Sequence, residues 1–163
     1  MAAAATPAIG ALLREAVPHE VIRYEHNPRV HAFGEEAVEQ LATRCGVLPE
    51  QILKTLVISG RSGLAVAVLP VPWRLSLKAA AAALGLPKAD MADPARAQRS
   101  SGYVVGGISP LGQRKRLPTV VDISILRFDT VLCSAGKRGW DLAVTPQDLI
   151  RLTDAVVADL RLP

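Results

Sequence analysis

Apolar residues recur at helical spacing in some segments of the chain and form short β-type runs in others. After Thr6-Pro7, a typical N-cap followed by proline, an apolar stripe predicts a first helix, with Ile9, Leu12, Leu13, Ala16 and Val17 on one face. Further helices are predicted at Glu35–Cys45, from Ser76 to Leu84 with a stop at Gly85, after Asp93-Pro94, and from Thr145-Pro146 to Leu152. Strands are predicted at Val21–Glu25, Leu53–Ser59, Leu64–Leu69, Tyr103–Val105, Thr119–Ile123, Thr130–Ser134 and Trp140–Val144.

The order of these elements indicates an α+β fold. Gly60-Arg61-Ser62-Gly63 separates two strand-like runs and predicts a hairpin, whereas the regular β-α-β alternation of a doubly wound sheet is missing. The 163 residues are half hydrophobic, with many alanines and few aromatics, which is enough to bury a substantial core. We therefore expect one domain over residues 1–163, built as a bent, barrel-like mixed sheet with helices packed around it.

Composition excludes several classes of protein. Met1–Ala5 has no basic residues ahead of it and is a poor secretory signal, and the apolar stretch Ala79–Leu86 is too short to span a bilayer. The two cysteines, Cys45 and Cys133, do not make a disulfide framework, and no Cys/His/Asp set has metal-ligand spacing. We expect a cytoplasmic protein with no membrane contact, no metal and no cofactor.

Positive charge is concentrated in one segment. Between Pro94 and Val121 there is no acidic residue, while Arg96, Arg99, Arg114, Lys115 and Arg116 contribute five positive charges against a net charge of +4 for the whole chain. Such a local excess attracts polyanions, and an RNA backbone is the obvious candidate. A merely solvated surface is the alternative.

A glycine-rich stretch lies inside this basic segment. Gly102–Pro118 reads GYVVGGISPLGQRKRLP. Glycines let backbone N–H groups approach a ligand closely, so the stretch suits an anionic or carbonyl-bearing ligand held by main chain. A hairpin with a basic, solvated edge explains the residues equally well.

No protein nucleophile stands out. Ser109 lies in GGISP, which is not the G-x-S-x-G elbow of serine hydrolases. His26 or His31 is a possible base, although surface histidines beside a strand are a simpler explanation, and both cysteines are expected to be buried small hydrophobes. Lys54 is more suggestive, because a cation at the start of the apolar strand ILKTLVIS is costly to bury. It either binds a phosphate or ester carbonyl in a cleft, or extends from a strand edge to water.

Several motifs stand in order and at the spacing of one known family. They are Tyr24-Glu25-His26, Phe33-Gly34, Lys54-Thr55-Leu56, Asp93-Pro94, Ala97-Gln98-Arg99-Ser100, Gly102-Tyr103, the run from Gly106 to Gln113, and Gly136-Lys137-Arg138-Gly139. On these motifs the chain resembles the YbaK proteins, relatives of the editing domain of bacterial prolyl-tRNA synthetases. The resemblance extends from about Thr6 to Asp159.

The resemblance implies a trans-editing deacylase that hydrolyses mischarged Cys-tRNA(Pro), and a bent mixed sheet surrounded by helices. Its expected partners are mischarged tRNA(Pro) and prolyl-tRNA synthetase. The residues expected to be catalytic are Lys54, Gly106, Gly107, Ile108 and Ser109. Those expected to bind the substrate are Tyr24, Phe33, Pro110, Ser134, Gly136 and Asp141. Those expected to contact tRNA are Arg114, Lys115, Arg116, Lys137 and Arg138.

The resemblance also implies a mechanism in which the thiol of the cysteinyl substrate attacks the ester carbonyl. The protein then orients the ester and stabilises the developing oxyanion with backbone donors, which agrees with the lack of a protein nucleophile. Two alternatives stay open. One is a deacylase for another mischarged tRNA, such as Ala-tRNA(Pro), and the other is a non-catalytic module that binds tRNA or a synthetase.

Overall fold

The computed structural model describes residues 4–163, which form two β-sheets with helices packed against them. The α-helices are α1 (Pro7–Arg14), α2 (Phe33–Cys45), α3 (Leu77–Ala83), α4 (Pro94–Ser101) and α5 (Pro146–Thr153). The strands are β1 (Glu20–Arg23), β2 (Leu53–Gly60), β3 (Gly63–Pro70), β4 (Ala89–Met91), β5 (Thr119–Asp122), β6 (Val131–Lys137), β7 (Trp140–Val144) and β8 (Val156–Ala158). Short 3₁₀ helices occupy Pro49–Gln51 and Ile123–Arg127. The predicted α+β class is confirmed.

The larger sheet has the strand order β4-β2-β3-β5-β8 and the smaller one β1-β7-β6. β2 and β3 form the predicted hairpin, with Gly60 opposite Gly63, and β3–β5 and β5–β8 are parallel. The smaller sheet is antiparallel throughout. The larger sheet is therefore mixed, as expected from a hairpin followed by helical crossovers.

The two sheets meet along one edge of β2. Ile52, immediately before β2, forms a parallel bridge with Leu132 of β6. At the other end of the same edge, β4 pairs with Ile58–Gly60, and the N–H of Ala92 donates to the oxygen of Val57 (3.1 Å). Among the described residues, no strand pairs with this edge between Leu53 and Leu56. β4 and β6 thus diverge along this edge of β2, and the gap between them is where the cavity described below opens.

Local capping signals explain why the helices begin where they do. The side chains of Thr6, Ser76, Asp93 and Thr145 each accept a hydrogen bond from a backbone N–H in the first turn, and three of these helices have proline directly after the cap. The Thr6 hydroxyl also donates to the oxygen of Ala135 in β6 (2.6 Å). The cap of α1 thus also attaches this helix to the smaller sheet.

The main core lies between the sheets and α1 and α5. Leu12, Val68, Val121, Leu142 and Leu149 are all completely buried there. The alanine-rich face of α3 packs on the opposite side of the larger sheet, where Ala80 is completely buried. No helix within residues 4–163 is long and apolar enough to cross a membrane.

One predicted strand, Tyr103–Val105, is wrong. These residues form an irregular segment because side chains of α4 occupy their backbone groups: the N–H of Tyr103 donates to Ser101 Oγ (3.1 Å) and that of Val105 to Gln98 Oε1 (2.8 Å). The Tyr103 hydroxyl then donates to the oxygen of Leu111 (2.6 Å), which folds the glycine-rich segment back on itself. The three-residue strands β4 and β8 were not predicted.

Candidate active site

A cavity of about 360 Å³ opens at the split in the sheet. Its walls come from β2, the start of α2, the first turns of α4, the loop at Gly106, and the ends of β6 and β7. The predicted site residues that line it are Tyr24, Phe33, Lys54, Gly106, Ile108, Ser134 and Asp141. Residues from six separate parts of the chain therefore meet at one cavity.

Lys54 lies on β2 opposite Leu69 of β3 and is half-buried. Among residues 4–163, no carboxylate lies within ion-pairing distance of its amine. Burial lowers the pKa of Lys54 below its ordinary value; the charge of Glu35 opposes this shift and that of Arg74 adds to it. The cavity thus holds a cation that is free to interact with a ligand.

Thr55 is a cavity residue that the sequence interpretation missed. Its hydroxyl is buried without a hydrogen-bond partner among the described residues, and it lines the cavity next to Lys54. Residues 53–57 all contribute to the wall, because the unpaired edge of β2 faces the cavity. Thr55 belongs to the motif Lys54-Thr55-Leu56, from which it could have been predicted, but only Lys54 was assigned a role there.

Asp141 and Ser134 form part of the opposite wall, where they are register partners on β7 and β6. The Asp141 carboxyl is only 6% exposed, and burial raises its pKa to about 7. Tyr24 extends β1 through a hydrogen bond from its N–H to the oxygen of Gly139 (2.8 Å). Burial, together with the charges of Asp141 and Glu36, raises the pKa of the Tyr24 phenol above its usual range. The environment of this wall therefore favours the protonated, uncharged forms of Asp141 and Tyr24.

The glycine loop approaches the cavity closely at one residue. Gly106 has φ +88°, and a Cβ added there would lie 2.6 Å from the ring of Phe33. Only glycine fits this position, on both conformational and steric grounds. The N–H of Gly107 already donates to the oxygen of Val104 (2.9 Å), so Gly107 closes the turn. The loop places backbone next to a substrate-sized space.

Four of the residues predicted to be catalytic or to bind the substrate lie outside the described lining of this cavity. Ser109 is completely buried and its Oγ accepts from the N–H of Leu111 (3.2 Å). Pro110 borders a separate cavity of about 190 Å³, and Gly136 packs against the ring of Tyr103. Gly107 packs against the backbone of Lys137 and Arg138. These residues shape the loop and its support and do not touch the cavity.

Neither thiol of the chain belongs to the described lining of the cavity, whereas one histidine does. Cys133 is completely buried, and burial followed by the charge of Asp141 raises its thiol pKa above the usual range. Cys45 lies on α2, half-buried. His31 lines the cavity, whereas His26 is hydrogen-bonded to Glu36 (2.6 Å). Within residues 4–163 no group of three or more His, Cys, Asp or Glu side chains is arranged to hold a metal.

The predicted tRNA contacts are all exposed cations, and one of them, Arg116, borders the separate cavity of about 190 Å³. The N–H groups of Arg114 and Lys115 donate to the oxygens of Ser101 and Ser100, which attaches the triad Arg114–Arg116 to the end of α4. Ala97 of the same helix lines the cavity, about one helical turn away. Arg138 lies over the ring of Phe33 (4.7 Å) and donates to the oxygen of Val105 (2.8 Å). Lys137 lies over the ring of Trp140 (4.6 Å).

Comparisons with known proteins find similarity to proteins of aminoacyl-tRNA editing. A model of the aminoacyl-tRNA editing domain family matches residues 34–152. The chain is 34% identical over 125 residues, 76% of each chain, to EbsC of Enterococcus faecalis, whose name proposes a Cys-tRNA(Pro)/Cys-tRNA(Cys) deacylase. It is 28% identical over 113 residues to the uncharacterised protein YwhH of Bacillus subtilis, covering 69% of this chain and 71% of that one. A crystal structure described as a candidate trans-editing enzyme for prolyl-tRNA synthetase superimposes with a TM-score of 0.82 and 28% identity, covering 96% of either chain.

We predict that Asp141→Asn flattens part of the pH dependence of stability. The folded-state pKa of about 7 lies above the ordinary 3.8, so the folded protein holds a proton that the unfolded chain has released between about pH 4 and 7. The stability of the native protein should therefore fall, relative to the asparagine variant, by up to about 1.4 kcal/mol per pH unit as the pH rises through this window. Denaturant unfolding of both proteins from pH 4 to 8 measures the difference, with Asp129→Asn as the exposed control. Parallel curves for the native protein and Asp141→Asn would contradict the prediction.

Proposed function

The chain belongs to the aminoacyl-tRNA editing domain family, and we propose that it removes cysteine from Cys-tRNA(Pro) in trans. Editing of mischarged aminoacyl-tRNA is the activity that membership of this family assigns. One observation carries the proposal furthest: the Lys54 amine, with no carboxylate partner among residues 4–163, lies in a cavity that the Gly106 loop also borders. A cation and close backbone donors are what an ester carbonyl needs when its oxygen gains negative charge.

A need for editing follows from the energetics of recognition. A synthetase pocket shaped for proline cannot strongly reject a side chain of similar or smaller volume, because one methylene contributes only about 1–3 kcal/mol of discrimination. A second site that hydrolyses the wrong aminoacyl-tRNA raises the ratio of correctly to wrongly charged tRNA. The relative named for prolyl-tRNA synthetase supports that synthetase as the source of the mischarged tRNA and as a partner.

In the proposed reaction the ester carbonyl lies between Lys54 and the Gly106 loop. Because the N–H of Gly107 is already engaged, the N–H groups of Gly106 and Ile108 and the Lys54 amine are the proposed donors to the carbonyl oxygen. The thiol sulfur of the cysteinyl group attacks the carbonyl carbon, and the C–O bond to the terminal ribose breaks. The thiol proton ends on the released ribose oxygen, and the product is a thiolactone that water later opens to cysteine.

The burial of Cys133 and Ser109 supports a substrate-supplied thiol. Cys133 and Ser109 are both completely buried, so neither reaches an ester in the cavity without unfolding of its surroundings. The rings and side chains of Tyr24, Phe33 and Ile108 border a space that suits a short, uncharged side chain. A water-mediated reaction on another aminoacyl ester is the alternative that the experiments below separate.

We predict that Lys54→Ala folds normally and loses most deacylase activity. Removal of one donor to developing charge typically lowers the rate about 10²–10³-fold. Lys78→Ala, on the exposed face of α3, is the matched control and should leave the rate unchanged. The measurements are single-turnover deacylation of Cys-tRNA(Pro) and the melting temperature of each variant. A stable Lys54→Ala variant with native turnover would exclude the role.

We predict that the triad Arg114–Arg116 contacts tRNA phosphates. Each neutralised phosphate contact contributes about 0.9 to the slope of log K against log salt for a duplex, so triple alanine substitution should make this slope shallower by up to about 3. The control replaces three exposed cations elsewhere, Arg61, Lys78 and Lys88. Binding of tRNA(Pro) is measured across a salt series. An unchanged slope in the triad variant shows that these residues do not contact phosphates.

We predict that Cys-tRNA(Pro) is cleaved much faster than Ala-tRNA(Pro). Alanine has a similar shape but no thiol, so only water can attack its ester. Cys45→Ser and Cys133→Ser should both retain the native rate if they fold, because neither thiol takes part. The measurements are the deacylation rates of Cys-tRNA(Pro) and Ala-tRNA(Pro), together with trapping of the released thiolactone by a thiol reagent. Equal rates for the two esters, or an acyl-enzyme that depends on Cys133, would overturn it.

A further inference from the structure

A histidine–glutamate pair, with the glutamate buried and the histidine half-buried, lies beside the cavity and has no part in the proposed chemistry. Glu36, in the first turn of α2, is 6% exposed, and its Oε1 lies 2.6 Å from His26 Nδ1. Its second oxygen accepts from the N–H of Asn27 (3.0 Å). Both oxygens of one carboxylate therefore hold the segment that joins β1 to α2.

The carboxylate is held in its charged form. Burial by itself raises the pKa of Glu36, but the hydrogen bonds from His26 and Asn27 outweigh burial and bring the pKa below its ordinary value. A buried charge that depends on two partners resists the loss of either one. The position of the His26 ring is thus fixed by an interaction stronger than packing alone.

The His26 ring in turn packs against Phe33. The two ring centroids are 5.7 Å apart at an angle of 41°. Around the same Phe33 ring lie the Arg138 guanidinium at 4.7 Å and the backbone of Gly106, so close that a Cβ at Gly106 would collide with the ring. His31 contacts the Phe33 ring edge-on at 6.3 Å. A continuous series of contacts leads from Glu36 through His26 and Phe33 to the Gly106 loop.

We propose that His26 is a positioning residue for the editing reaction: held by Glu36, it fixes the Phe33 ring against Gly106 and so sets the spacing between that loop and Lys54. This inference rests on the proposed function. Its importance follows from geometry, since a displacement of about 1 Å at a reacting centre can lower the rate about 10²-fold. His26 acts through Phe33 and does not touch the ester.

A double-mutant cycle tests whether His26 acts through Phe33. His26→Asn keeps an amide N–H near the position of Nδ1, which preserves the bond to Glu36 and removes the ring. We expect His26→Asn and Phe33→Leu each to lower kcat on Cys-tRNA(Pro) about 10-fold or more with KM changed less than about 2-fold, and the double variant to be no slower than the slower single one. His19→Asn is the control, at a histidine that is hydrogen-bonded to the oxygen of Val17 (2.8 Å). The proposal is overturned if the fold-losses of kcat in the two single variants multiply in the double variant, or if His26→Asn retains the native kcat.

A spectroscopic measurement is independent of activity. The chain has two phenylalanines, so 4-fluorophenylalanine labelling gives two ¹⁹F resonances, which Phe33→Leu assigns. His26→Asn should shift or broaden the Phe33 resonance and leave that of Phe128 in place. An unmoved Phe33 resonance overturns the proposal even if kcat falls. If the native protein cleaves no Cys-tRNA(Pro), the proposed function fails, whereas an unmoved Phe33 resonance overturns only the positioning role of His26.

Discussion

The structure depends on how two other strands share one edge of β2. β6 meets this edge at Ile52, and β4 takes it up only from Ile58 onward. Backbone groups left without a neighbouring strand normally invite another chain or must be covered. Here α2, α4 and the Gly106 loop enclose the gap without filling it, and the result is a cavity of about 360 Å³. The site is therefore a consequence of the topology, and Lys54 is placed by β2, the strand at whose edge the two sheets meet.

Local signals predicted most of the fold because they act within a few residues. The caps at Thr6, Ser76, Asp93 and Thr145 lie where they were expected, and Trp140–Val144 has its predicted bounds. The predicted strand Tyr103–Val105 does not form, because the backbone N–H groups of Tyr103 and Val105 donate hydrogen bonds to Ser101 and Gln98 on α4, which outweighs the β-propensity of three residues. β4 and β8 have three residues each, too few for a periodic pattern.

The site could be predicted only through the family resemblance, since its residues are far apart in sequence. Tyr24 and Asp141 are separated by most of the chain and line the same cavity. The resemblance could not distinguish lining residues from supporting ones. Ser109 belongs to the same motif as Gly106 but is completely buried, and Gly136, in a later motif, packs against the ring of Tyr103. Thr55 was missed because a threonine in a strand carries no distinctive pattern, and its place in the cavity wall is visible only in the structure.

The cavity combines a half-buried cation on one wall with a buried acid, Asp141, on the other. Burial lowers the pKa of Lys54 and raises that of Asp141, so on both walls burial disfavours the charged form of the side chain. Cys133 is completely buried, and in the proposed reaction the attacking thiol comes from the substrate. In that proposal the spacing of the cavity walls sets both the selectivity and the rate, so the residues proposed to fix the Phe33 ring matter as much as those proposed to touch the ester.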